Sequence, residues 1–377
     1  FTCENCSNRC RITMTESEPR RAIGGRCGRW DGSASRPNRA KDSNLAVRMS
    51  LLESAPVCNS NGADKKTRVG IPRALFAFDK LPEWRTFFER AGLEVVISPP
   101  LNEAMLSEGM KRIVVENCLP VKALSAHIAW LEDHGDVDFV FVPSLVGTGE
   151  DRFKKETVHC PYIQGAIQFA QAMSKKPLLA PVINWRLDPR SEEREMKAIA
   201  KSLGASQEIS DEAWRAAGEA GLAFRRALKE VGEGVLSRLG SGELGRAFVI
   251  LGKDYNVCDP RLNSRAALML EEMGETILTQ DMIVDDTGRY SETWRTMCWQ
   301  HGKEVLAAAE VASRTPDLYP VFITSFGCGP DSFTIRLVRD IMGEKPMLLL
   351  EVDEHSSAVG METRIEAFLD SLPHSPS

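Results

Sequence analysis

The chain has 377 residues, 43% of them hydrophobic and 27% charged, which is the composition of a globular protein large enough for two or three domains. It holds no apolar run of the roughly 18 residues that a membrane helix needs and no apolar segment at its start, so we predict neither a membrane protein nor a signal peptide. The net charge of −6 divides into +5 over residues 1–66 and −11 over the rest, and because the basic segment lacks interleaved aromatic residues it argues against nucleic-acid binding.

Residues 1–66 form a cysteine-rich arm and linker in which we expect little regular structure. Four cysteines stand in the first 27 residues: Cys3, Cys6, Cys10 and Cys27. Their spacing suits a four-thiolate site for zinc or for a 4Fe–4S cluster, and unligated thiols in a disordered arm are the alternative. The polar stretches "DGSASRPNRAKDSN" and "CNSNGADKKT" are rich in turn-forming residues and predict a linker, with Cys58 a bystander in it.

Residues 67–190 alternate between short apolar segments and amphipathic ones. Strands are predicted at "RVGIPRALF", "LEVVISPP", "KRIVVENC", "VDFVFVPS" and "PLLAPVINW". Helices are predicted at "LPEWRTFFERAG", "PVKALSAHIAWLEDHG" and "CPYIQGAIQFAQAMSKK". This alternation predicts a first α/β domain with a doubly wound, parallel sheet.

Residues 191–377 begin with a charged helical region, which extends over residues 190–240 and is expected to bridge two sheets. Strands are then predicted at "AFVILG", "ETILTQDM", "YPVFITSFG" and "MLLLEVDEH". Helices are predicted at "NSRAALMLEEMG", "WRTMCWQHGKEVLAAAEVA", "SFTIRLVRDIMG" and "TRIEAFLDSL". We therefore predict an α/β protein with two doubly wound, parallel-sheet domains behind the cysteine-rich arm.

Three cysteines far apart in the chain share one local setting. A proline follows each within two residues and a predicted helix then begins; the pairs are Cys118 with Pro120, Cys160 with Pro161, and Cys328 with Pro330. We expect each thiol at a helix N-terminus near the carboxyl edge of a sheet, where unpaired N–H groups and the helix dipole favour a thiolate. Thiolates are ligands of iron–sulfur clusters and zinc, so these three are predicted to share a metal site, although any one alone would be read as an inert buried thiol.

Three other residues carry weaker signals. Cys258 also follows a predicted strand and precedes a proline by two residues, so it is either a fourth ligand or a thiol that lines the site. Cys298 is expected in a helix, as a bystander. His159 stands beside Cys160 and either orients a bound ligand or lies at the surface.

Two further patterns match site motifs only in part. "GSGELG" at residues 240–245 fits G-x-G-x-x-G but follows a predicted helix and precedes a strand, so we predict a helix-terminating turn and not a dinucleotide site. Asp353, Glu354, His355 and Arg364 follow a predicted strand. They form either a carboxylate–histidine metal site or hydrogen bonds that close a loop at the edge of the cluster site.

Several longer segments of the chain resemble the acyl-CoA dehydratase activase-related proteins: "VGIPRALFAFDKLPEWRTFFERAGLEVVISPP", "VVENCLPVKALSAHI", "HCPYIQG" and "FGCGPDSFTIRLVRDIMG". That family is similar in turn to the subunits of 2-hydroxyacyl-CoA dehydratases and to double-cubane cluster proteins. The resemblance covers residues 1–30 and 67–377. It implies two Rossmann-like domains with an iron–sulfur cluster, of the 4Fe–4S or double-cubane type, between them, and it matches Cys118, Cys160 and Cys328 to the cluster-binding cysteines.

The resemblance also implies an ATP-hydrolysing activase as the source of electrons. In many relatives this module precedes the present region in one polypeptide, which would account for a chain that starts at Phe1. The chain itself shows neither a P-loop nor the Asp-x-Gly phosphate loop of actin-like ATPases, so we do not expect it to be the ATPase.

The sequence thus predicts a cytoplasmic, oxygen-sensitive iron–sulfur protein that works under anaerobic conditions. Its expected role is ATP-coupled, low-potential electron transfer or reductive chemistry, with an acyl-CoA as the candidate substrate. Whether the chain is itself an enzyme, and whether it forms a homo-oligomer, is left open. The alternative is a non-enzymatic scaffold that binds a partner and is stabilised by zinc at the N-terminal cysteines.

Overall fold

Two four-stranded parallel sheets form the framework of the protein. The computed structural model describes residues 43–54, 66–113, 116–148, 157–284 and 297–373, together with two short strands nearer the N-terminus. The strands are β1 Thr13–Met14, β2 Ala22–Ile23, β3 Arg68–Ile71, β4 Glu94–Ile97, β5 Phe139–Phe141, β6 Ser144–Thr148, β7 Thr157–Val158, β8 Leu178–Leu179, β9 Val182–Asn184, β10 Ala247–Leu251, β11 Ile277–Thr279, β12 Leu318–Ser325 and β13 Leu348–Val352. The helices are α1 Asn44–Glu53, α2 Ala77–Arg90, α3 Glu103–Met110, α4 Leu119–His134, α5 Pro161–Gln164, α6 Ala166–Met173, α7 Ser191–Ser202, α8 Gln207–Gly240, α9 Asp254–Cys258, α10 Ala266–Glu272, α11 Gln280–Ile283, α12 Gln300–Arg314, α13 Gly329–Met342 and α14 Ala358–Ser371.

The two sheets have the same topology. The first has the order β4-β3-β5-β8 and the second the order β11-β10-β12-β13, and the neighbouring strands in both are parallel. In each sheet the first strand along the chain lies between the second and the third, so the direction of winding reverses between β3 and β5 and again between β10 and β12. Open α/β sheets bind ligands at the carboxyl ends of the strands beside such a switch point. The predicted α/β class with parallel sheets is confirmed.

The strands with the clearest sequence signal are those covered on both faces. Every residue of β10 and β12 is buried. A parallel sheet with helices on both sides presents apolar surface above and below, and its central strands therefore read as unbroken apolar runs. This is why the segments "AFVILG" and "YPVFITSFG" could be predicted as strands from the sequence.

One predicted strand divides between two sheets. The segment "PLLAPVINW" forms β8, which pairs with β5, and then β9, which pairs with β6 in a third sheet of order β7-β6-β9. Pro181 lies between them, and its carbonyl oxygen accepts a hydrogen bond of 2.9 Å from the backbone N–H of Ser144. Because proline has no N–H to donate, the pairing of the first sheet ends there.

Three local predictions are wrong within the described residues. The strand expected over "KRIVVENC" is absent at residues 111–113 and 116–118. Gly109 of α3 packs so closely on α4 that an added Cβ would lie 2.3 Å from Ala126 Cα, and this packing outweighs the strand preference of the described residues. The helix expected from "WRTMCWQ" begins only at Gln300, after a bridge between Val158 and Trp299. The helix over "CPYIQGAIQFAQAMSKK" is interrupted at Gly165.

Helix α1 corrects the expectation that residues 1–66 contain little regular structure. Its inner face buries Leu45, Leu52 and the long side chain of Arg48. Arg48 forms an ion pair of 2.8 Å with Asp281 and donates a hydrogen bond of 2.9 Å to the carbonyl oxygen of Phe78. The helix is therefore held against α11, which follows β11 of the second sheet, and α2, which follows β3 of the first. It was not predicted because polar linker sequence lies on either side of it.

Helix α8 contacts a helix next to each of the two four-stranded sheets, in the region that the sequence predicted to bridge them. With 34 residues it is the longest helix in the described part of the chain, and it packs against α2 and α11. At Gly232 an added Cβ would lie 2.1 Å from the carbonyl oxygen of Met282, so glycine is needed for this close approach. Among the described residues no helix, α8 included, is long and apolar enough to cross a membrane.

Candidate functional site

Cys118, Cys160 and Cys328 each occupy the residue immediately before a helix. They precede α4, α5 and α13, and each helix carries a proline in its first turn. Proline fits that turn because its missing N–H would have no partner there. All three thiols are partly exposed, so they lie at the border between the core and solvent. The position before a helix is the one predicted. Cys328 follows β12 of the second parallel sheet, whereas Cys160 follows β7 of the third sheet and no strand directly precedes Cys118.

The three thiols lie close enough to act on one another electrostatically. Burial, together with charge on Cys160 and Cys328, raises the pKa of Cys118 from 9.0 to about 11. A hydrogen bond from the backbone N–H of Val121, in the first turn of α4, acts in the opposite direction. The three cysteines, separated by up to 210 positions in the chain, therefore lie in one region of the fold, but their sulfur atoms do not all lie within 4.8 Å of one another.

A buried ammonium group contacts one of these thiols. Lys253 Nζ lies 3.0 Å from Cys328 Sγ and 2.5 Å from Asp331 Oδ1. Asp331 in turn accepts a hydrogen bond from the hydroxyl of Thr324 at 2.5 Å. Burial raises the pKa of Cys328, but the charge of Lys253 opposes that shift, so the ammonium group favours a thiolate here.

The switch point of the second sheet positions this lysine. Gly252 follows β10 directly with φ +146°, and an added Cβ would lie 2.3 Å from the carbonyl oxygen of Ile323 in β12. The chain can turn between the two strands only because this residue is glycine. Lys253 and Tyr255 come next, and Cys328 follows the neighbouring strand β12. Sequence reasoning missed both residues, although their position at the carboxyl end of a predicted strand was visible in "LGKDYN".

Tyr255 forms part of the same site. Its side chain is only 3% exposed, and burial raises its pKa well above the ordinary value. Charges on Cys118, Asp331, Cys328 and Cys160 contribute to that shift, so the phenol lies in the same region as the three thiols. A buried, protonated phenol beside three sulfur atoms offers a hydrogen-bond donor to whatever they bind.

The two other described cysteines, Cys258 and Cys298, lie apart from these three. Cys258 is the last residue of α9, is buried, and has Arg48 and Asp281 as its strongest charged neighbours, so it faces the α1 contact; a ligand role for it stays a prediction. Cys298 is exposed and precedes α12, where the sequence had placed it inside a helix. Cys3, Cys6, Cys10, Cys27 and Cys58 lie outside the described residues.

The loop after β13 closes through its own hydrogen bonds. Asp353 accepts from the backbone N–H of His355 and from the hydroxyl of Ser356, both at 2.9 Å. Glu354 forms an ion pair of 2.7 Å with Lys122, a buried residue in the first turn of α4. Arg364 donates to the carbonyl oxygen of Leu349 at 2.6 Å. The loop-closing alternative therefore describes these residues, and the Glu354–Lys122 ion pair links the second sheet to α4, the helix that follows Cys118.

The segment "GSGELG" is the predicted helix-ending turn after α8.

A cavity of about 360 Å³ lies beside the thiols. His159, the neighbour of Cys160, and Asp254, the neighbour of Lys253, both line it, together with His301 and Glu304 of α12. Burial raises the pKa of Asp254 to about 7 and lowers that of His159 to about 3. His159 is 5% exposed, because its ring packs on Phe76 at a centroid distance of 4.6 Å, so the surface alternative for this histidine is wrong.

The chain matches a known sequence family over more than half of its length. Residues 68–283 fit the family described as "CoA enzyme activase uncharacterised domain (DUF2229)", and they make up more than half of the chain. The chain belongs to this family. The match agrees with the resemblance to acyl-CoA dehydratase activase-related proteins, and it includes Cys118, Cys160 and Lys253 but ends before Cys328.

Curated proteins and solved structures give no further indication of function. No curated protein matches the chain. Among solved structures, the C-terminal domain of glucosamine-fructose-6-phosphate aminotransferase from Francisella tularensis is similar at 10% identity and a TM-score of 0.22, with 86% of this chain and 91% of that chain covered. A TM-score that low supports no inference about this protein.

Proposed function

We propose that Cys118, Cys160 and Cys328 bind an iron–sulfur cluster, and that the protein exchanges low-potential electrons through it with an ATP-hydrolysing activase. The observation that carries the proposal is the convergence of three distant thiols, each at the start of a helix. Membership of a CoA enzyme activase family supports the choice of partner. An acyl-CoA is the proposed substrate class if the chain carries out reductive chemistry itself.

The donor set fits such a group chemically. Thiolate sulfur is the usual ligand of iron–sulfur clusters, and three sulfur donors leave a coordination position for substrate or solvent. In the absence of a metal, burial keeps Cys118 protonated at neutral pH, since its pKa is about 11. A bound cation would reverse that preference, because a metal stabilises the deprotonated sulfur.

Lys253 and the backbone would adjust the electrostatics of the site. The ammonium group lies 3.0 Å from Cys328 Sγ and offsets part of the negative charge that thiolates introduce. The backbone N–H groups of Val121 and Asp331 donate hydrogen bonds toward the sulfur atoms of Cys118 and Cys328. Such donors raise the reduction potential of an iron–sulfur site by stabilising the more negative, reduced state. The cluster, when bound, would supply one-electron chemistry at low potential.

Anaerobic reconstitution of the full chain with iron and sulfide tests the proposal. Iron and sulfide contents and visible absorption should show a cluster that is lost in Cys118→Ala, Cys160→Ala and Cys328→Ala. The matched control is Cys298→Ala, an exposed cysteine outside the site, which should keep the cluster. Iron held by the N-terminal cysteines is separated by repeating each measurement in a Cys3→Ala, Cys6→Ala background.

The same measurements include the outcomes that contradict the proposal. If the three variants retain the iron content of the control, the convergent thiols are not ligands. If the protein is colourless and holds zinc that is lost only in the Cys3→Ala, Cys6→Ala background, the zinc-stabilised scaffold is the better description. ATP-dependent reduction by an activase, followed by electron paramagnetic resonance, tests the electron-transfer step separately.

A further inference from the structure

A group of nitrogen and oxygen donors lies beside the thiols without being part of them. Asp254, His301 and Glu304 each offer one ligand atom, and these atoms all lie within 4.8 Å of one another. Asp254 opens α9 at the switch point of the second sheet, and the other two residues share one face of α12, three positions apart. The group therefore combines two structural elements that the fold holds in fixed relation.

Two buried histidines line the cavity at this group. His301, a member of the group, is 8% exposed, and His159 beside it is 5% exposed. Within the described part of the chain, His301 Nδ1 lies 3.5 Å from Glu304 Oε2, whereas His301 Nε2 and His159 Nδ1 have no hydrogen-bond partner. Buried polar atoms in native proteins nearly always have a partner, so each such atom calls for a ligand or an ion. Both rings line the cavity, with their centroids 5.5 Å apart.

Two of the cations on the cavity wall are already paired with other carboxylates. Lys80 contacts Glu83 at 2.6 Å and Glu192 at 3.5 Å, and Arg225 contacts Glu83 at 2.7 Å. The aromatic rings of Phe76 and Tyr255 flank His301, at centroid distances of 5.8 Å and 6.0 Å. The ligand atoms of Asp254 and Glu304 lie within 4.8 Å of one another and of His301, so a bound cation would reduce the repulsion between the two carboxylates.

We propose that a single first-row divalent metal ion binds in this cavity, held by Asp254, His301 and Glu304, with His159 on the cavity wall beside it. One imidazole and two carboxylates are a donor set typical of Mn²⁺, Fe²⁺ and Zn²⁺, and unlike the thiol set they do not favour softer ions. This ion would be separate from the group bound by the cysteines, and its site shares a loop with Cys160 through His159. The proposal does not depend on an iron–sulfur cluster at the thiols.

Manganese is the suitable probe, because Mn²⁺ prefers nitrogen and oxygen donors and is detected by electron paramagnetic resonance. Titration of the full chain with MnCl₂ under anaerobic conditions should show one bound ion per chain. Asp254→Asn and Glu304→Gln, which keep side-chain size, should each weaken binding by at least about 10-fold, since even changes to residues that only orient a metal ligand cost that much. Hyperfine coupling to imidazole nitrogen should be lost in His301→Gln.

Two controls identify the site and the state of folding. His134→Gln changes a histidine that stacks on Trp130 away from the cavity and should leave Mn²⁺ binding unchanged. Cys328→Ala should also leave it unchanged; a loss there as large as in Asp254→Asn would place the ion at the thiols and overturn the proposal. So would the absence of binding at millimolar Mn²⁺, or the absence of nitrogen coupling. Circular dichroism shows which variants fold, and if Asp254→Asn does not fold, the Glu304→Gln result decides.

Discussion

Replacement of Lys253 by methionine would break a buried ion pair beside the thiols. The ammonium group lies 2.5 Å from Asp331 Oδ1, and the two side chains are 5% and 8% exposed. Methionine keeps most of the side-chain volume, so the main effect is a carboxylate left in the core without its cation. Removing one partner of a buried pair costs about 3–5 kcal/mol, and because Thr324 still donates to Asp331 we expect a value near the lower end, about 3 kcal/mol.

The second half of the pair provides an internal check. In Lys253→Met, Asp331→Asn no buried charge remains unpaired, and we expect stability to recover by about 1–3 kcal/mol relative to Lys253→Met alone. The exposed pair Arg336–Asp340 is a matched control, because its side chains are 78% and 57% exposed. Arg336→Met should change stability by less than about 0.5 kcal/mol.

Urea unfolding of the metal-free, reduced protein measures these differences, with the midpoint compared at constant slope. A loss of less than about 1 kcal/mol in Lys253→Met, or a double variant as unstable as the single one, would refute the argument that the pair is buried and mutually dependent. Alkylation provides a second readout. Without the ammonium group the pKa of Cys328 should rise further, so this thiol should react more slowly with iodoacetamide near pH 8.

Three further predictions follow from burial and packing. Because folding raises the pKa of Cys118 from 9.0 to about 11, the metal-free protein should lose about 2–3 kcal/mol of stability as pH rises from 9 to 11, and Cys118→Ser should remove that loss from the pH profile. Burial lowers the pKa of His127 from 6.5 to about 3, so the folded state is stabilised by its neutral form above pH 6.5 and loses up to about 5 kcal/mol of stability as pH falls toward 3. Stability should therefore fall less steeply with acid in His127→Gln. An unchanged pH profile would show that this histidine is charged in the folded state. Gly232→Ala should destabilise the protein by about 1–3 kcal/mol, because the added methyl group would contact Met282. In the same helix the methyl group of Gly234→Ala would meet nothing within 4 Å, so this control should stabilise the protein by about 0.5–1 kcal/mol. Equal shifts of the melting temperature in the two variants would contradict the close packing of α8.

The elements that could be predicted are those whose signal is local and strong. Buried strands such as β10 and β12 are continuous apolar runs, and α8 keeps a helical pattern over 34 residues. Helix α1 was missed because its ten residues lie among polar, turn-forming segments, and its stability comes from contacts with Phe78 and Asp281 far along the chain. The strand predicted over "KRIVVENC" does not form at residues 111–113 and 116–118, because the close packing of α3 on α4 outweighs the local preference of an apolar run.

Some residues of the thiol site could likewise be predicted from the sequence, and others could not. Cys118, Cys160 and Cys328 could be selected from the sequence, because a proline after each one marks the start of a helix. Lys253 and Tyr255 could not, since neither residue type is distinctive and their relation to the thiols depends on the order of strands in the second sheet. Likewise the cavity group of Asp254, His301 and Glu304 joins a loop to a helix more than forty positions away.

By itself the sequence determined where the chain forms strands and helices and which cysteines precede a helix, because propensity, proline and apolar periodicity act over a few residues. Only the tertiary structure decided which of those positions meet. Parallel strands place residues side by side that are a whole crossover apart in the chain: β10 pairs with β12, and the residues that follow them, Lys253 and Cys328, are in contact although 75 positions separate them.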